Sequence, residues 1–229
     1  VVAHDLQATI NAIQKRTNTQ RVLFAGHGLG GLLFVAHLAR GGRSDLASGV
    51  TLGSPVRFDK DVSHARSVHR VARLLPSQWH VPHRAIQRWL LATGHDSALH
   101  NVAQQVEGPT LRRIALDESA DLSGGLIRQI AMWHKAGHLC DRDNRFDDLA
   151  ALEGQSFPLL TIAGDADPIC TPEATSPLTE ALKGSSSRVL TGGWSHLDTI
   201  AGPNAAREVF PQVVSWLSAS RRLCWKRDM

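Results

Sequence analysis

The chain has 229 residues, 42% of them hydrophobic and 20% charged, with a formal net charge of +4. That length and usage fit one globular domain, or one domain with a large insertion, and are ample for a buried core. They exclude a disordered or fibrous chain, and no apolar run approaches the roughly 18 residues that a membrane span needs.

Basic residues are scattered except for a tail containing Arg221, Arg222, Lys226 and Arg227. A tail of that kind reads as a solvated, frayed terminus, and no aromatic-basic interleaving points to nucleic acid. The three cysteines, Cys140, Cys170 and Cys224, are odd in number and widely spaced, which argues against a disulfide framework. No secretory leader is visible in this sequence, which leaves the compartment open with the cytoplasm slightly favoured. Val1 stands where a methionine would begin a primary product, so a processed or truncated start is also compatible with the sequence.

Taken in chain order, Asp5 reads as an N-cap, and Leu6, Ile10 and Ile13 recur at helical spacing over 5–16. Thr17 to Thr19 form a polar turn. Residues 21–25 are a short apolar run suited to a buried parallel strand. A tight turn over 26–31 leads to a helix over 32–40, which Gly41 and Gly42 stop. A second strand is predicted over 48–52, ended by Gly53-Ser54-Pro55.

Residues 56–155 lose the alternation of strand and helix. Amphipathic segments at 85–92 and 126–138 predict a helical insertion lying over a core. Alternation returns with a strand at 159–163, a loop at 164–168, a helix at 175–182 and a strand at 188–191. A loop over 192–200 follows, then a helix over 204–220 with Pro211 as a bend. The predicted fold class is α/β, a parallel sheet flanked by helices and interrupted by a helical cap. The organisation expected is 1–55 and 156–220 as two halves of one core, 56–155 as the cap, and 221–229 as a basic tail.

The most informative stretch is Gly26-His27-Gly28-Leu29-Gly30-Gly31, between a strand and a helix. In the G-x-S-x-G turn, the nucleophile sits on a strained backbone at the end of a strand, and the flanking glycines avoid β-carbons where the turn is tight. Gly26 and Gly30 have that spacing around position 28. Two other readings compete. One is a generic turn whose glycines permit close packing. The other is a phosphate loop, since Gly26, Gly28 and Gly31 satisfy G-x-G-x-x-G, but no acidic strand end follows about 20 residues on.

Two later stations favour the first reading. Gly164-Asp165-Ala166-Asp167-Pro168 follows one strand, and Gly193-Trp194-Ser195-His196-Leu197-Asp198 follows the next. Both lie beyond strand ends, where parallel sheets place their sites. They occur in the order nucleophile, acid, histidine. The interval from Asp167 to His196 suffices for one helix and one strand.

With those stations the chain resembles the α/β-hydrolases of the lipase and esterase branch, and the acid (gastric and lysosomal) lipases in particular. The resemblance runs from the helix at His4–Ile10 through Gly26–Gly31, Trp133-His134 and Arg145-Phe146-Asp147, then Gly164–Pro168, His196-Leu197-Asp198 and Gly202. Residues 56–125 offer no match. It implies a partial α/β-hydrolase fold, an ester or lipid substrate, no cofactor, and a Ser-Asp-His triad. The position of the serine is held here by Gly28, with Asp167 as the acid, His196 as the base and the Leu29 N–H as an oxyanion donor. It also implies several strands before the elbow strand, which this sequence does not contain, so the strand at 21–25 is expected on an open sheet edge that invites self-association.

The neighbouring groups offer rival roles. Asp165 is an alternative acid, and Asp198 a residue that fixes the histidine loop. Ser54 and Ser195 are hydroxyls near strand ends but outside the elbow. His134 and His138, with Cys140 and Asp141 near, have helical metal-ligand spacing but no third ligand, and no metal is expected. Three functions compete: ester hydrolysis impaired by Gly28, a non-catalytic module that keeps the hydrolase shape, and a truncated hydrolase fragment.

Overall fold

The computed structural model describes residues 2–58, 76, 78–93, 97–118 and 120–224. The predicted cap therefore lies partly outside the described residues, as do Lys226 and Arg227 of the tail.

Along the chain, helix α1 (Gln7–Thr17) leads to strand β1 (Val22–His27), helix α2 (Leu29–Ala39) and strand β2 (Leu46–Leu52). Helix α1 is entered from a π-turn over Val2–Leu6, so Asp5 lies inside that turn and Leu6 occupies the cap position. The next stretch carries two short strands, β3 (His80–Val81) and β4 (Leu122–Ser123), paired antiparallel. Between and after them come helices α3 (His83–Thr93), α4 (Ser97–Asn101), α5 (Gly108–Arg113) and α6 (Gly124–Ala136). The core resumes with β5 (Leu159–Gly164), α7 (Pro172–Ala181) and β6 (Ser186–Leu190), followed by α8 (Asp198–Ala201), α9 (Ala205–Glu208) and α10 (Phe210–Ala219).

Four strands form one parallel sheet in the order β1-β2-β5-β6. Every residue of β2 and of β5 is buried. Neither carries a charged residue, and Ser48, Thr51 and Thr161 are the polar side chains among their small and apolar ones, as suits strands covered on two faces. Strand alternation then sorts their side chains, apart from Leu46, which a register irregularity opposite Val22 and Leu23 turns to the other face. Val50, Leu52, Leu160 and Ile162 pack beneath α10 with Val209, Val213 and Trp216. Leu46 and Leu159 join the opposite layer with Ile10, Phe34, Val35, Leu38 and Leu178. Gly49 is dictated by this second layer, because a Cβ there would stand 2.2 Å from the Phe34 ring.

The expected strands and their parallel pairing are present. Two local expectations fail. The helix read over 204–220 is broken into α9 and α10, and Pro211 sits in the first turn of α10 rather than bending an interior. Its missing N–H and fixed φ suit that position. The tail does not fray at once: Cys224 is buried, and its carbonyl accepts from the N–H of Gln20 and of Arg21. All three cysteines are free and buried. Among the described residues, no helix is long and apolar enough to cross a membrane.

Strand β1 borders the sheet on one side, and Ala25, near its centre, is exposed. The C-terminal ends of β1, β2, β5 and β6 lie along one rim. The turns after all four of them hold the polar groups singled out above.

Candidate active site

The turn after β1 is set by Gly28, with φ 51° and ψ −117°. These angles lie outside the regions that L-residues favour, and a side chain there is tolerated only when its surroundings enforce it. Gly26 is indispensable, since a Cβ on it would come within 2.6 Å of the Gly31 nitrogen. Gly30 is not, because nothing lies within 4 Å of its missing Cβ. The second close approach is made at Gly31, where a Cβ would meet the Ser54 hydroxyl at 2.1 Å. The spacing rule therefore assigned to Gly30 a close approach that the structure gives to Gly31.

His196 comes to face this turn. A Cβ on Gly28 would stand 3.1 Å from His196 Nε2, with only the imidazole within 4 Å. On its other side, His196 Nδ1 donates to Asp167 Oδ2 at 2.8 Å. The carboxylate can only accept, so Nδ1 carries the proton and the neutral ring presents an acceptor at Nε2. Asp167 is fully enclosed, and its other oxygen accepts from the N–H of Ile169 and of Cys170, each at 2.8 Å. His196 is 9% exposed.

The remaining carboxylates hold loops. Asp165 accepts from the backbone N–H groups of Gly192, Gly193 and Trp194, and those bonds, that of Gly192 foremost, keep its carboxyl below the usual range. Asp198 accepts from the Ser195 N–H and hydroxyl and from the Gln105 N–H. Ser195 Oγ in turn accepts from the Gln104 N–H, so its hydroxyl is fully engaged. Ser54 donates to the Leu52 carbonyl. Neither serine hydroxyl is poised against an imidazole. The Cys170 thiol is pushed up by burial, with Asp167 adding to the effect, and so stays protonated and unreactive.

His27 packs its ring 4.4 Å from that of His196 and donates from Nε2 to the His196 carbonyl. Burial, reinforced by the charge His196 would carry, pushes His27 down to about 4 against the opposing pull of that hydrogen bond and of Asp167. It is a neutral ring that braces the histidine loop. His138 turns toward Asp147 at 3.5 Å, whereas His134 packs edge-on against Phe58. Among the described residues, no group of three or more His, Cys, Asp or Glu is gathered for a metal.

The site opens into a cavity of about 210 Å³ lined by Gly28, Leu29, Pro55, Ile130, Trp133 and His196 among others. An adjoining cleft of about 430 Å³ shares Leu29, Leu32 and Trp133 with it. Leu29 opens α2, so its N–H has no intrahelical acceptor. Sequence reasoning missed Gly53, whose Cβ would stand 3.0 Å from His196 Nδ1 and 3.1 Å from Asp167 Oδ2. It also missed the Gln104-Gln105 backbone. Gly53 had a local signal, a Gly-Ser-Pro stop after an apolar strand. The glutamines had none, because their role is made by contacts about 90 residues away in sequence.

No family model matches this sequence, and a search among curated proteins gives no match. Solved structures do. A monoacylglycerol lipase of Paleococcus ferrophilus is similar at a TM-score of 0.63 and 19% identity, over 93% of this chain and 74% of that one. An esterase of Exiguobacterium antarcticum gives 0.62 and 16%, over 92% and 71%. A thermophilic esterase of Thermogutta terrifontis gives 0.58 and 19%, over 93% and 69%. These structural neighbours are α/β-hydrolase esterases and lipases, and the fold of this chain is theirs.

Proposed function

We propose that this chain is an α/β-hydrolase of the lipase or carboxylesterase type whose ester-cleaving power is strongly impaired by Gly28. The observation that carries the reading is the hydrogen-bonded pair Asp167–His196, with Nε2 aimed at the one position of the turn where a nucleophile would stand. In that arrangement a serine attacks the acyl carbon, the histidine takes and returns its proton, and the aspartate holds the tautomer. Leu29 supplies an oxyanion N–H, and Gly26, His27 and Gly30 belong to the elbow. The apolar cavity at Leu29, Trp133 and Ile130 suits an acyl chain. Residues 56–155 serve as the cap over it. The Trp133-His134 and His196-Leu197-Asp198 stations favour the acid-lipase branch.

Glycine has no hydroxyl, so no acyl-enzyme forms at position 28. The expected result is trace turnover of p-nitrophenyl butyrate and no labelling by a fluorophosphonate probe. Turnover comparable to that of a serine esterase, abolished in His196→Ala, would refute the reading and point to another nucleophile.

A further inference from the structure

Glycine at position 28 does more than remove a hydroxyl. Among the described residues other than its chain neighbours, the atoms within 4 Å of where its Cβ would stand belong to the His196 imidazole. His196 Nε2 has no hydrogen-bond partner among the described residues, its side chain keeps 11% of its surface accessible, and its Nδ1 is committed to Asp167. An unpartnered acceptor that lines a cavity and faces a space of atomic size is a site for a small hydroxylic molecule, since a water needs about 30 Å³ and polar partners. The first N–H of the 11-residue helix α2 adjoins it, at the positive end of the helix dipole. The same space opens to the apolar cavity beside Leu29, Pro55 and Trp133.

We propose that Gly28 makes this site a water-binding general-base centre, in which His196 activates water directly for hydrolysis of small activated esters. The proposal rests on the ester-cleaving reading above and changes the identity of the nucleophile. Water donates one O–H to Nε2. As its oxygen bonds to the acyl carbon, that proton passes to the imidazole and the carbonyl π electrons move to oxygen, facing the Leu29 N–H. Asp167 remains ionised and stabilises the imidazolium. The intermediate then collapses: the bond to the alkoxy or aryloxy group breaks and the imidazolium returns its proton to that group. Ester and water give acid and alcohol, with no covalent enzyme intermediate and no oxidant or metal.

A residue that fills the space without a hydroxyl should abolish this route. An alanine Cβ would stand 3.1 Å from Nε2 and displace the water. The test measures p-nitrophenyl acetate hydrolysis by the chain and by Gly28→Ala, Gly28→Ser and His196→Ala, with urea unfolding to verify that each is folded. General-base assistance is worth about 10²–10⁴. Gly28→Ala and His196→Ala should therefore each lose on the order of 10²-fold. The unaltered chain should show a normal solvent deuterium effect and no acyl adduct in mass spectra after acid quench.

Equal rates in the chain and Gly28→Ala, with Gly28→Ser active, would overturn the water site while leaving the ester-hydrolase reading intact. An acyl adduct on His196 would overturn it as well, by making the imidazole the nucleophile. Background rates in all four proteins, including folded Gly28→Ser, would overturn both. Should Gly28→Ala fail to fold, Asp167→Asn in the glycine background supplies the same decision: it misorients the tautomer at Nε2 without filling the space. Its rate should fall to that of His196→Ala, and an unchanged rate would overturn the proposal.

Discussion

Restoring serine at position 28 sets a gain in chemistry against a cost in backbone strain, and both can be sized. The turn holds φ 51° and ψ −117° at Gly28. A non-glycine residue held in such a sparsely populated region costs about 1–3 kcal/mol. The new Cβ would also press to 3.1 Å from His196 Nε2, so the imidazole must yield by a few tenths of an ångström. In a chain of this size each kcal/mol lowers Tm by roughly 2–4 °C, so Gly28→Ser should melt about 2–12 °C below the unaltered chain. Removing the serine of a complete triad costs on the order of 10⁶ in kcat. One missing oxyanion donor costs about 10²–10³, and only the Leu29 N–H is identified here. The expected gain in ester turnover is therefore on the order of 10³–10⁴ rather than the full factor. Calorimetry and a p-nitrophenyl butyrate assay on the same preparation check both figures. A folded Gly28→Ser protein with no gain would refute the triad geometry. A Gly28→Ser protein as stable as the parent would refute the strain.

Three further outcomes follow from the same contacts. Gly53→Ala places a Cβ 3.0 Å from His196 Nδ1 and 3.1 Å from Asp167 Oδ2 at a residue with φ 53°; in the Gly28→Ser background it should part the pair and lower kcat by about 10²–10⁴, and an unchanged kcat would show that the pair tolerates the intrusion. His27 is held at about 4 in the folded chain against an ordinary value of 6.5, so the unfolded state binds its proton first as pH falls. The stability His27 contributes is complete above pH 6.5 and is lost toward pH 4, by up to roughly 3 kcal/mol; His27→Gln should flatten the difference between urea unfolding at pH 7.5 and at pH 4.5, and identical slopes would contradict the assignment. The β1 edge should drive concentration-dependent self-association, which Ala25→Lys should relieve in size-exclusion runs; a monomer at all concentrations, unaffected by that change, would show that the edge is already protected.

Sequence carried the fold well wherever burial writes itself into a continuous run. Strands β2 and β5 are covered on both faces, so neither carries a charged residue, and Gly53 after one and Pro158 before the other mark where they stop and start. The pairing of Asp167 with His196 was legible because chain order and strand ends together restrict where two loops can meet. Less was legible where a single residue serves two rules. Pro211 breaks a helix or begins one, and only the break at Val209 decides which. Gly30 and Gly31 are equivalent as letters, and the Ser54 hydroxyl beneath Gly31 is what separates them. The support of the histidine loop by the Gln104 and Gln105 N–H groups is long-range and backbone-made, so no residue type announces it.

The loop that carries His196 is held by bonds in which residue 28 takes no part. Its loop is pinned at the start by three N–H bonds to Asp165 and at the end by Asp198, which gathers the Ser195 backbone and hydroxyl with the Gln105 N–H. His27 braces the His196 carbonyl from below, and Asp167 is itself fixed by two backbone donors. None of these bonds involves residue 28. Removing a hydroxyl from position 28 therefore leaves the general base oriented, buried and protonated on Nδ1, while removing the strain a β-carbon would impose there. Glycine thus relaxes the turn and keeps the proton-transfer machinery assembled. That separation limits what a change at residue 28 can do: it alters which atom can attack and displaces the imidazole by no more than the few tenths of an ångström a Cβ demands, whereas a change at Asp165 or Asp198 would move the loop that carries the base.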